Sequence, residues 1–161
     1  MKNEELQRWA LVAEIIGGLA VVMSLIFVGL EVRQTAEETA LNTQSIRASA
    51  YQDLVQQLSE INSLLIENPE LSRVRRIAID GGDLDSVSDM DLFNSFARLI
   101  IRHTDMAFLQ FRNGLVEEAR LRSMAGPLGA EIFSNKYGLA IWDGMSRGLS
   151  EEFVNYANSF R

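Results

Sequence analysis

The sequence predicts an all-α protein that consists of an N-terminal membrane helix and a helical domain. Residues 15–30 form a stretch of 16 residues without a charged side chain, and only two prolines occur in the chain. Apolar residues elsewhere recur at intervals of three and four, and alternating strand-like runs are absent from the sequence. These patterns are typical of helices. We therefore expect a membrane anchor with its junction at residues 1–35 and a compact bundle of four to five further helices at 36–161.

The first predicted element is a helix from Trp9 to Leu30. At ~1.5 Å per residue it would span about 33 Å, against a hydrocarbon core of ~30 Å. Glu14 would then lie inside the boundary, where a carboxylate is unfavourable unless it is paired or reaches the headgroups. Gly17 and Gly18 would weaken a soluble helix by ~1 kcal/mol each, whereas glycine is more frequent in membrane helices. The segment favours a transmembrane helix over a helix buried in a soluble bundle.

The residues around this run predict a retained anchor and its orientation. The run exceeds the ~7 to 15 residues of a signal-peptide core, and no A-x-A cleavage site follows it. Lys2 and Arg8 precede the run, and only Arg33 follows it within 15 residues. Since positive flanking charge stays in the cytoplasm, we expect a single-pass protein with its N-terminus inside and its soluble part outside the cytoplasm.

Residues 31–66 continue with helical periodicity until Asn68 and Pro69 end the helix. The polar stretch at residues 39–45 leaves open whether this helix continues the membrane helix or is separated from it by a break near Asn42. Its predicted core-facing side consists of Ile46, Ala50, Leu54, Leu58, Ile61 and Leu65.

The next two predicted helices flank a loop. Residues 70–79 form a short helix that Gly81 and Gly82 end. Ser88 is expected to cap the following helix, with Asp91 reaching back in a weak capping box. That helix carries the clearest core-facing stripe in the chain, which consists of Leu92, Phe96, Leu99, Ile100, His103, Ala107 and Phe111 and ends at Asn113-Gly114.

The last third of the chain predicts three shorter helical segments. Residues 116–133 form a helix that Gly126 and Pro127 should interrupt, because proline lacks the backbone N–H that the helix requires. A short segment follows around Trp142. Ser150 is then expected to cap a final helix.

The soluble part of the chain is acidic and contains no cysteine. Residues 31–161 carry 13 Lys and Arg against 19 Asp and Glu, a net charge of −6. This charge repels phosphate backbones and argues against nucleic acid as a partner. It also gains nothing from anionic lipid, so contact with the bilayer must come from the apolar span. The absence of cysteine excludes disulfides, thiolate metal sites and a cysteine nucleophile.

Several short segments resemble a known group of sequences, namely Trp9, residues 14–17, 24–30, 31–35 and 68–71, and Trp142. In these segments the chain resembles a family of small bacterial proteins that share an N-terminal membrane helix, a charged I-R-Q-N-T-like junction and a helical domain. Glu31 and Val32 depart from the commoner Gln and Ile of that junction. The resemblance is most specific over residues 9–35. It implies bacterial membrane association and a helical fold, and it implies no activity; as the location we expect the bacterial inner membrane.

One face of the predicted membrane helix collects small and polar residues. At about 100° per residue, a single face contains Glu14, Gly17, Gly18, Val21, Ser24, Leu25 and Gly29. Small residues allow helix backbones to approach in lipid, and Ser or Glu side chains can hydrogen bond between helices. This face, hereafter the small-residue face, predicts a homo-oligomer interface. An ion-conducting oligomer that uses Glu14 is an alternative interpretation.

The other residues that could bind a metal or take part in catalysis are better explained by structural roles. The acidic residues at 80–91 do not match EF-hand spacing, so they indicate a solvated loop and helix cap. His103, the only histidine, lies on the core stripe without a second His or Cys to complete a metal site. Phosphate-binding glycine motifs and a nucleophile elbow are absent from the sequence. We predict no catalytic residue, cofactor or metal.

The leading functional hypothesis is a membrane-anchored, non-enzymatic interaction or assembly module that forms a homo-oligomer through its membrane helix. The sequence does not identify a protein partner. The alternative from another class is a small-molecule sensor or enzyme with a pocket in the bundle. Its candidate ligand contacts are His103 and the basic cluster of Arg73, Arg75 and Arg76.

Overall fold

The computed structural model describes residues 2–161 and contains helices and no strand within that range. The prediction of an all-α protein is confirmed. The α-helices are α1 (Lys2–Glu67), α2 (Pro69–Ile79), α3 (Val87–Arg112), α4 (Glu118–Pro127), α5 (Lys136–Met145) and α6 (Glu151–Asn158). A π-helix, Leu128–Phe133, joins α4 to α5, and a short 3₁₀-helix, Ser146–Gly148, precedes α6. Met1 and the side chain of Lys2, whose charge contributes to the predicted orientation, lie outside the described residues.

The chain divides into two compact units, Met1–Ser45 and Ile46–Arg161. The predicted division lay between residues 35 and 36. Helix α1 contributes to both units and has no break near Asn42. The hydroxyls of Thr39 and Thr43 donate to the carbonyls one turn earlier, at 2.8 and 2.9 Å. These hydrogen bonds satisfy polar side chains within the helix, so the polar stretch does not interrupt it.

The first unit is a helix whose side chains are exposed throughout residues 3–45. Trp9 is 73% exposed and Phe27 is 68% exposed. None of the most apolar stretch is buried. By its length and composition, α1 is the one helix in residues 2–161 that could cross a membrane.

The second unit packs its helices around α3. Helix α3 contacts α2, α4, α5 and the π-helix, so several of its sides are buried and not one stripe alone. Leu99 was predicted to face the core, and this prediction is wrong because its side chain is 43% exposed. Ile46 of α1 is also exposed, at 49%. The largest fully buried side chains are Trp142, Phe93, Phe96, Phe153, Leu54, Ile101, Leu121, Leu128 and Ile132.

Side-chain caps set the helix starts, and one of them differs from the prediction. Asn68 and Ser150 cap α2 and α6, accepting from backbone N–H groups at 3.0 and 3.3 Å. Ser86, and not Ser88, caps α3 by accepting from the N–H of Asp89 at 3.0 Å. With this earlier start, Asp89 lies in the first turn of α3 and forms an ion pair with Arg73 at 2.7 Å. This tertiary contact favours the start at Val87.

Pro127 ends α4, as predicted, but the chain continues as the π-helix. A proline ring removes a backbone donor and displaces the preceding turn, which the wider π-turn accommodates. The backbone of Ile132 in this π-helix lies directly against Gly138 of α5. The π-helix is therefore part of the packing that holds α5 in the domain.

Candidate functional site

The small-residue face of α1 is fully exposed in the first unit. A Cβ atom built on Gly17, Gly18 or Gly29 would meet no atom within 4 Å. These glycines are therefore not required for packing inside the protomer. Their lack of a side chain leaves backbone accessible to another helix.

The predicted basic cluster on α2 is largely committed to ion pairs. Arg73 donates to Glu70 at 2.6 Å and to Asp89 at 2.7 Å, and its hydrogen bond lowers the pKa of Glu70. Arg75 donates to Glu131 of the π-helix, with its Nε 2.7 Å from the carboxylate. The side chains of Asp89 and Glu131 are each only 12% exposed. These pairs connect α2 to α3 and to the π-helix, and removing either arginine would leave a largely buried carboxylate without its partner.

The acidic loop after α2 is anchored to α5. The Lys136 ammonium pairs with Asp83, and the N–H of Leu84 donates to the Tyr137 hydroxyl at 2.8 Å. The pair with Lys136 lowers the pKa of the Asp83 carboxyl. Within the described residues, no group of three or more His, Cys, Asp or Glu side chains is arranged to hold a metal ion.

A groove of about 350 Å³ lies between the C-terminal part of α1 and the middle of α3 within the second unit. It is hereafter the His103 groove. Four of its eight lining side chains are apolar and four are polar, but most of the surface that they expose to the groove is apolar. The lining residues are Gln57, Glu60, Ile61 and Leu64 of α1 and Leu99, Arg102, His103 and Met106 of α3.

His103 is 5% exposed, and neither of its ring nitrogens has a hydrogen-bond partner within residues 2–161. Buried polar atoms are normally hydrogen bonded, so two unpaired nitrogens on one ring are unusual. Burial lowers the pKa of His103 below its usual value of 6.5, because desolvation disfavours the imidazolium. The ring is therefore held neutral at physiological pH.

The structure does not bring His103 together with the predicted basic cluster. Arg102 lines the groove, whereas Arg73, Arg75 and Arg76 are not among its lining residues. Sequence reasoning missed Arg102 and the α1 residues of the groove. The α1 residues recur at intervals of three and four, a signal that marks one helix face but does not reveal which helix lies opposite.

The pH response of His103 provides a direct test of its environment. Because the folded protein holds this proton less tightly than the unfolded chain does, protonation favours unfolding. The stabilising contribution is complete above about pH 6.5 and declines as the pH falls through that value. Glu60 and Arg102 are the charged groups that share the groove with the ring.

We expect NMR titration of this single histidine to give a pKa below 6.5. Thermal stability should also decline more between pH 7.5 and 5.5 in the parent chain than in His103→Leu, which cannot take up this proton. A titration at or above 6.5 would contradict the buried, unpaired ring.

Comparisons with protein-family models, curated proteins and solved structures find no match for this chain. The function must therefore be inferred from the geometry of two surfaces. The first is the small-residue face of α1, and the second is the His103 groove.

Proposed function

We propose that this protein is a single-pass, membrane-anchored interaction module that assembles with itself through α1. The observation that carries the proposal is that every apolar residue of α1 at 15–30 is exposed, with Val22 at 52% and Phe27 at 68%. Uncovered apolar surface of this extent is unfavourable in water and favourable in hydrocarbon. Lipid would cover this surface, and a second copy of the same helix would cover one face of it.

Self-association is supported by the absence of any packing partner for the small-residue face within the described protomer. Lipid provides no hydrophobic drive between helices, so membrane helices associate by close packing and by interhelical hydrogen bonds. Gly17, Gly18 and Gly29 permit the first, and Ser24 and Glu14 supply groups for the second. A carboxylate inside the hydrocarbon is unfavourable, which gives Glu14 a reason to face another helix.

We propose that the second unit is the part of the module that presents an interaction surface. Its ion pairs Arg73–Asp89 and Arg75–Glu131 hold α2 against the rest of the domain. Arg73 and Arg75, which the sequence analysis gave as candidate ligand contacts, take part in these two ion pairs. We propose the bacterial inner membrane as the location, with this unit outside the cytoplasm.

Self-association is tested by filling the small-residue face. We expect Gly18→Leu to reduce the crosslinked oligomer in membranes several-fold, because the added side chain keeps two helix backbones apart. The protomer itself should be unaffected, since a Cβ atom at this position would meet no other part of the protein within 4 Å beyond the adjoining helix backbone. The measurement is crosslinking in native membranes at matched expression.

The control variant is Met23→Phe, which adds volume on the opposite side of the same helix. It should leave the crosslinked fraction unchanged. If Gly18→Leu crosslinks as well as the parent chain, the small-residue face is not the interface.

A further inference from the structure

His103 is the least satisfied polar side chain among the described residues of the second unit. Both of its ring nitrogens are buried without a hydrogen-bond partner. Such atoms have lost water and gained nothing in return, so they bind strongly any group that can supply the missing hydrogen bond. Because the ring lines a groove that opens to solvent, a molecule from outside the protein can supply it.

The walls of the His103 groove suit an apolar molecule. Ile61 and Leu99 contribute apolar surface from the two helices that border the groove. Leu64 and Met106 also line the groove and are 45% and 41% exposed, so they add apolar surface that a ligand could cover. Met106 is unbranched and flexible, so its side chain can adjust its position to a ligand in the groove. The volume of about 350 Å³ is within the range of small-molecule sites.

The polar groups of the groove favour an uncharged ligand. Its two charged side chains have partners of their own: Arg102 pairs with Asp105 at 3.6 Å, and Glu60 accepts from the Gln56 amide at 3.1 Å, so neither offers a free charge of one sign to a ligand. A neutral imidazole has one donor and one acceptor nitrogen. A hydroxyl group both donates and accepts, so it can pair with the ring in either tautomer.

We propose that the His103 groove binds a small apolar molecule with one hydroxyl group, an alcohol or a phenol, whose hydroxyl hydrogen bonds to His103. The apolar body of the ligand lies between the α1 and α3 walls. This site extends beyond the proposed assembly function, because it lies in the second unit and does not depend on α1 self-association.

The test uses the full-length protein in phosphatidylcholine nanodiscs with isotope-labelled histidine. His103 is the only histidine, so the imidazole signals need no assignment. The probe is 4-ethylphenol, and ethylbenzene, which lacks the hydroxyl, is the matched compound. We expect a saturable shift of the imidazole signals with 4-ethylphenol and at least a tenfold weaker response with ethylbenzene.

Two variants fill the groove from opposite walls, Met106→Trp on α3 and Leu64→Trp on α1. Each should abolish the saturable shift, and having both guards against one that fails to fold. The control is Leu109→Trp, an exposed position on α3 that does not line the groove. It should bind 4-ethylphenol as the parent chain does.

Three outcomes would overturn the proposal. A response that rises linearly with 4-ethylphenol, or that persists in both groove-filling variants, would show partition into lipid or a different site. Equal responses to the two compounds would show that His103 does not recognise the hydroxyl. Imidazole signals that change with the number of copies per nanodisc and not with 4-ethylphenol would assign the groove to a second copy of the chain.

Discussion

A chain carrying Val22→Arg and Ile26→Arg should fail to cross the membrane. Both positions lie within the charge-free stretch at residues 15–30, and both side chains are exposed. An arginine near the centre of a membrane helix costs about 2.5–3.5 kcal/mol on insertion scales, so two should oppose insertion by about 5–7 kcal/mol. The charge-free run of 16 residues covers only about 24 Å at ~1.5 Å per residue, less than a hydrocarbon core of ~30 Å, which leaves little to offset that loss.

Labelling of single cysteines measures the crossing, because the parent chain contains none. Asn3→Cys and Asn155→Cys are both at exposed positions near the two ends. In the parent chain we expect the first to react only from the cytoplasmic side of intact membranes and the second only from the other side. With the two arginines, both cysteines should be reached from the cytoplasmic side.

The matched control places the same change outside the apolar run, as Gln52→Arg and Gln56→Arg. These exposed positions lie on the same helix at the same spacing. This variant should cross like the parent chain. Labelling of both cysteines from one side in the parent chain would instead indicate a helix that lies on the membrane surface, and the single-pass proposal would fail.

The second large effect is expected for Gly138→Ala in α5. A Cβ atom at this position would lie 2.2 Å from the carbonyl oxygen of Ile132 and 2.7 Å from its Cα. These are backbone atoms of the π-helix, so no side-chain rotation can relieve the overlap. Overpacking of a core typically destabilises by 1–3 kcal/mol, and we expect at least about 2 kcal/mol here because backbone must move.

Gly144→Ala is the control, since it makes the same chemical change in the same helix. A Cβ atom at Gly144 would meet nothing within 4 Å. Replacing an exposed helical glycine with alanine should stabilise by up to about 1 kcal/mol. Chemical unfolding followed by circular dichroism should therefore move the two variants in opposite directions. Equal stabilities would mean that α5 does not pack on the π-helix as described.

The ends of the helices follow from local chemistry and could be predicted. Asn68-Pro69 separates α1 from α2, because the proline starts a helix well and disfavours helix in the residue before it. Gly114 follows α3 with a φ of +70°, a conformation that glycine adopts without strain. Ser150 caps α6 as expected. Each signal lies within a few residues of the boundary that it sets.

The first helix could also be located from the sequence, because sixteen consecutive uncharged residues need no partner in the fold to identify them. The continuity of this helix through Asn42 could not be predicted, because a polar stretch is compatible with either a helix or a break. The hydrogen bonds that its side chains form decide between the two. The N-cap of α3 could not be predicted either, because Ser86 and Ser88 each precede an aspartate by three residues and so share the same local pattern. The distant Arg73 favoured the start that brings Asp89 to it.

By itself, the sequence determined the helical class, most helix boundaries and the apolar, small-residue character of α1, because these depend on neighbours three or four residues away. Only the tertiary structure decided that Arg73 and Arg75 serve as ion-pair partners, that Gly138 must lack a side chain, and that His103 faces a groove. Those properties depend on contacts beyond the local helical pattern: Arg75 pairs with Glu131, 56 positions away, Gly138 lies against Ile132 of another helix, and Glu60 and His103 line the same groove. Periodicity shows that a helix has a buried face, but packing alone selects the residues that meet it.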